Sequence, residues 1–172
     1  MRTLFLRVAL VLFAATSLTA QSLNWREYKN SSGNFSVQMP AEPEDTNAGD
    51  GSDMHTLLAF VDGVGYSVTY SKSSEDQPVN DAIFKQYADG MIKSSKCTVV
   101  NEAPASPAIP RLIGRHYRLD CGTGSEKLTD VGNLYLAKHY TYAVLVMFQP
   151  RPVDPPNLKK FVDSFALTDP AK

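Results

Sequence analysis

Tyr140-Thr-Tyr-Ala-Val-Leu-Val-Met-Phe148 is the run whose reading decides the fold. Its alternate residues Tyr140, Tyr142, Val144, Val146 and Phe148 form one apolar face, while Ala143, Leu145 and Met147 form the other. A strand apolar on both sides must be covered on both sides, which places it in the middle of a sheet. A second extended run at 131–137 is separated from it only by Lys138-His139, which predicts an antiparallel neighbour. Pro150, Pro152, Pro155 and Pro156 end the sheet, and helical spacing follows over 155–165 through Leu158, Phe161, Val162 and Phe165.

The pattern continues outward in both directions. Residues 25–28 begin a short strand, and Asn34-Phe-Ser-Val-Gln-Met39 alternates strictly, with Phe35, Val37 and Met39 on one face. Runs at 54–61 and 66–72 flank Asp62-Gly-Val-Gly65, whose glycines supply the positive φ of a hairpin turn. Between these elements, 42–53 is acidic and glycine-containing, which predicts a mobile loop. The period then changes to 3.6: Val79, Ile83, Tyr87 and Met91, flanked by Phe84, Ala88 and Ile92, predict an amphipathic helix over 78–94 that packs on the sheet. Strands at 97–103 and 111–121 follow. The predicted class is α+β, a mainly antiparallel sheet flanked by helices.

The strands at 97–103 and 111–121 turn about Ile109, which sets Cys97 opposite Cys121. Cross-strand cysteines bring their β-carbons close enough to bridge, so these two, the chain's only cysteines, are expected to form a structural disulfide. Closing a loop of about 25 residues stabilises by about 3.5 kcal/mol on the chain-entropy argument. Neither cysteine sits at a helix start or in a C-x-x-C motif, which argues against a catalytic thiol.

Residues 1–20 have the tripartite pattern of a secretory signal: Arg2 and Arg7, an apolar run from Val8 to Ala15, and small residues before Gln21. That run is far short of the roughly 20 apolar residues a spanning helix needs. No cysteine follows it to accept a lipid. The expectation is a cleaved leader, 1–20, and one globular domain, 21–172, exported to the periplasm or secreted, with no stable membrane insertion after cleavage. Without the two arginines, 17 basic against 18 acidic residues become still more acidic on balance, which offers nucleic acid no broad attraction. Arg111, Arg115, Arg118 and His116 read as charges along the wet face of one strand.

The chemistry-bearing residues form no recognised constellation. His55, His116 and His139 have no ligand-like spacing; a metal site would have to join His116 or His139 with Asp120 or Asp130 across strands. Gly122-Thr-Gly-Ser125 lies between two extended runs, which suits a connection better than a nucleophile elbow or a phosphate loop. The pattern therefore predicts no catalytic, cofactor-binding or metal-binding residue and no cofactor.

Trp25-Arg-Glu-Tyr28, Gly33-Asn-Phe-Ser-Val-Gln-Met-Pro40 with Pro43, Gly132-Asn-Leu-Tyr135 ahead of 140–148, and Phe161-Val-Asp-Ser-Phe165 together resemble the exported bacterial domains related to PsbP, the extrinsic photosystem II protein. The resemblance spans nearly all of 21–172 and implies an α/β/α sandwich with a mainly antiparallel sheet. Members range from a photosystem assembly factor to a Ran-release factor, and no residue role transfers, since each matching motif is a packing or turn feature. The functional expectation is an exported non-catalytic module that binds an unknown protein or envelope partner through a sheet edge or loop. The alternative is a small-ligand- or metal-binding protein, or a hydrolase, whose site is built from dispersed residues.

Overall fold

A computed structural model describes residues 23–47, 53–124, 127–149 and 155–169. The leader at 1–20 and Ser125 lie outside the described residues. Strands β1 (Arg26–Asn30), β2 (Phe35–Met39), β3 (Glu44–Asn47), β4 (Met54–Val61) and β5 (Val64–Lys72) precede helix α1 (Asp81–Ser94). Then come β6 (Cys97–Pro104), β7 (Ile113–Cys121), β8 (Leu128–Leu136), β9 (Tyr140–Phe148), helix α2 (Pro155–Asp163) and β10 (Ala166–Leu167). The class is α+β and every strand pair is antiparallel.

Seven strands form the main sheet in the order β3-β4-β5-β9-β8-β7-β6. The doubly apolar run at 140–148 is its fourth and central strand, as its two covered faces require. On one face, Phe84 and Ala88 of α1 bury against Tyr117, Leu119, Leu134, Leu136, Ala143 and Leu145. On the other, Tyr142, Val144 and Val146 of β9 pack with Phe161, Val162 and Phe165 and with Phe35, Val37 and Met39 of β2. The early strands do not join the main sheet; β1, β2 and β10 make a small sheet of their own in that second layer. Tyr142 Oη ties the layers together by donating to the Gly33 carbonyl at 3.0 Å in a buried setting.

Several boundaries differ from expectation for identifiable reasons. The helix begins at Asp81 and not at 78, because Asn80 is its N-cap, with its side chain accepting from Ile83 N at 3.0 Å. Val79 is left outside, exposed. The β4–β5 hairpin turns on two residues only, Asp62 (φ 51°) and Gly63 (φ 80°), the pair of positive φ values that matches strand twist. Val64 and Gly65 already belong to β5. The segment 42–53 is not loop throughout, since Glu44–Asn47 pairs with β4 from Leu58 to His55. The last helix ends at Asp163, and Phe165 lies beyond it, stacked on Tyr135 with ring centroids 5.5 Å apart before the chain enters β10.

Candidate functional site

The main sheet has two free edges, and the sequence treats them differently. At one, β3 is four residues of Glu-Asp-Thr-Asn, all exposed, which is the short, charged form that blocks further pairing. At the other, β6 runs for eight residues with a single charged side chain, Glu102. It exposes Val99 (48%) and Val100 (54%) side by side. The cause is local. β6 pairs with β7 in the expected register at Cys97↔Cys121, Thr98↔Asp120 and Val99↔Leu119, and then slips by one so that Asn101 faces Arg118. Val100 is the extra residue of this bulge, and a bulge leaves its residue unpaired and bends the strand.

The first residue of that edge carries the disulfide. Cys97 follows α1 after only Ser95 and Lys96, the latter at φ 54°, and it is bonded to Cys121 with Cα atoms 4.0 Å apart. Cys121 is buried and Cys97 is partly exposed. On β8, Asp130 is the register partner of Leu119 and of Met147, so it points to the α1 face beside the bridge. Its Oδ2 lies 3.4 Å from Cys121 Sγ. Its Oδ1 is buried and has no hydrogen-bond partner among the described residues. Burial pushes the carboxyl up to about 6. The two sulfurs and a carboxylate oxygen lie within 4.8 Å of one another. With the sulfurs bonded to each other, no thiolate is present to ligate a cation. The sequence named Asp130 only as a partner for histidine; its place beside Cys121 depends on the β7–β8 register, which no local motif encodes.

The histidine and aspartate candidates are not brought together. His116 Nδ1 lies 2.8 Å from Asn133 Oδ1, on the face of the sheet opposite to Asp130. Asp120 shares the His116 face four residues further along the strand and accepts from Thr129 Oγ1 at 3.4 Å. His139, in the β8–β9 turn, pairs with Asp76 at 3.1 Å, whose carboxyl is held below its usual range first by its hydrogen bond from Lys138. His55 pairs with Asp45 at 3.5 Å and stacks on Tyr70. The arginine group also divides, correcting its reading as one wet face. Arg115 points toward α1, 3.3 Å from Asp81 and 3.7 Å from Glu102, whereas Arg118 and His116 occupy the other face.

Two of the clefts among the described residues lie beside these groups. One of about 620 Å³ lies between α1 and the sheet, walled by Tyr70, Ile83, Tyr87, Met91 and Thr141, with no histidine or carboxylate in its lining. The other, about 600 Å³, includes Ser32, Asp53, Lys72, Ser73, His139 and Tyr140. Among the described residues no serine hydroxyl is hydrogen-bonded to His139. The chain matches no protein-family model and no curated protein.

Proposed function

We propose that this is an exported, non-catalytic domain of the PsbP-like type that binds a protein partner of the cell envelope by strand addition along β6. The observation that carries the reading is the contrast between the two sheet edges. β3 is short and acidic, as an edge is when pairing must be prevented, while β6 is long, nearly uncharged and bears two adjacent exposed valines. An incoming extended segment would gain main-chain hydrogen bonds from β6 and side-chain contacts from Val99 and Val100.

The PsbP-like plan is supported by the layering, with α1 on one face of the sheet and α2 with the small sheet on the other. Export to the periplasm or outside is supported by the disulfide, which persists in oxidising compartments. Among the described residues no helix is long and apolar enough to cross a membrane.

The test is capture from an envelope fraction with three forms of the residue 21–172 domain: unaltered, Val100→Lys, and Phe60→Lys. Among the described residues Phe60 is the most exposed large apolar one, and it lies on β4, away from the β6 edge. Binding through β6 predicts a partner retained by the unaltered and Phe60→Lys forms and lost by Val100→Lys. Capture unaffected by Val100→Lys would place the contact elsewhere.

A further inference from the structure

We infer that the Cys97–Cys121 disulfide is an exchange site, opened by an external dithiol that attacks Cys97, with the Asp130 carboxyl delivering the proton to the departing Cys121 sulfur. The inference does not rest on the partner-binding reading. It also goes beyond the structural role that cysteine spacing alone assigns to the bridge.

The geometry sorts the two sulfurs into different roles. Cys97 begins the edge strand and is partly exposed, so a thiolate can reach it. Cys121 is buried, at 8% exposure, so a thiolate left there has lost most of its hydration and needs a proton. Asp130 Oδ2 stands 3.4 Å from that sulfur, within reach of a proton transfer as the S–S bond lengthens.

The attacking thiolate forms a bond to Cys97 Sγ; the S–S electron pair passes to Cys121 Sγ; the proton leaves the Asp130 carboxyl for that sulfur. Asp130 regains a proton from water. The second thiol of the dithiol then displaces Cys97 from the mixed disulfide, so the domain ends with two thiols and the dithiol with one disulfide.

Among the described residues no charged side chain acts on the Asp130 carboxyl. Next to Asp130 on its face lie Leu119 and Cys121 of β7, Met147 of β9 and Cys97 of β6, with Tyr117 and then Arg115, paired to Asp81 and Glu102, on the same face further along β7. From α1, Met91 and Ile92 pack on the same cluster. Asp120 of β7 is turned to the opposite face. Burial alone raises the Asp130 carboxyl, with no charged side chain contributing from any of these elements. It therefore holds its proton at mildly acid pH and loses it through about 6. Above that value a carboxylate faces the developing thiolate and opposes the step.

The test uses dithiothreitol and the oxidised domain. The rate constant for reduction is measured from pH 5 to pH 8 and divided by the fraction of reagent present as thiolate. The expected profile for the unaltered domain falls by about ten-fold, with a midpoint near the Asp130 value. Asp130→Asn is expected to give a flat profile, and Asp120→Asn to retain the fall. A flat profile for the unaltered domain overturns the inference without recourse to any variant. So does a fall that survives in a folded Asp130→Asn form.

Discussion

Asp130 Oδ2 lies 3.4 Å from Cys121 Sγ, while Oδ1 of the same carboxyl is buried without a hydrogen-bond partner among the described residues. Ionising it costs more in the folded protein than in the unfolded chain, so its pKa moves from 3.8 up to about 6. The folded state therefore binds this proton more tightly, and stability falls as pH rises between those two values. Below the lower value the group makes no such demand. Asp130→Asn removes the ionisation and should raise the melting temperature above pH 7 by a few degrees, at about 2–4 °C per kcal/mol for a chain of this size. At pH 3, below both values, the two forms should melt together. A difference that is the same at both pH values in a calorimetric scan would contradict this account.

The elements whose signals are local were legible in the sequence. The central position of β9 follows from two apolar faces within nine residues, and the Cys97–Cys121 pairing follows from the symmetry of one hairpin. What depends on distant pairing was not legible. The small β1-β2-β10 sheet separates from the main one because Phe35, Val37 and Met39 pack face to face on β9, and nothing in 35–39 distinguishes that from edge pairing. β3 was hidden because Glu44–Asn47 has no apolar alternation; its pairing with β4 is made by backbone groups. The candidate site shows the same division, since Cys97 and Cys121 declared themselves, whereas Asp130 reached the bridge through the register of β8.

The hydroxyl of Tyr142 crosses between the two layers to reach the Gly33 carbonyl at 3.0 Å, and both residues are buried. Tyr142→Phe leaves that carbonyl without its partner and should cost about 1–2 kcal/mol by urea unfolding. Tyr140 makes a parallel contact to the Ser32 carbonyl at 3.2 Å, but Ser32 is exposed and water can replace the hydroxyl. Tyr140→Phe should therefore cost less than about 1 kcal/mol. Equal losses would show that the layers are not held by this buried bond.

Two glycines should respond in opposite directions to the same substitution. A β-carbon on Gly132 of β8 would run into the Val144 carbonyl on β9, a backbone atom of the central strand that cannot turn aside. Gly132→Ala should destabilise by about 3 kcal/mol or more. Gly90 lies inside α1, where a β-carbon meets nothing within 4 Å. Gly90→Ala should stabilise by about 0.8–1.0 kcal/mol, the helix-propensity difference. Urea midpoints of the two variants are expected on opposite sides of the unaltered protein, and finding both on the same side would refute the packing assigned to one of them.

The bridge between β6 and β7 acts on the unfolded chain as well as on the folded one. Its residues are 24 apart in sequence, and tying them together removes loop-closure freedom from the denatured ensemble. Replacing both, Cys97→Ala with Cys121→Ala, should lower stability by about 3.5 kcal/mol. Because the denatured chain then expands, more surface is exposed on unfolding and the urea m-value should rise while the midpoint falls. A lower midpoint with an unchanged m-value would locate the stabilisation in native contacts around Cys121 and not in the constraint on the unfolded state. The m-value is therefore the quantity that separates the two accounts.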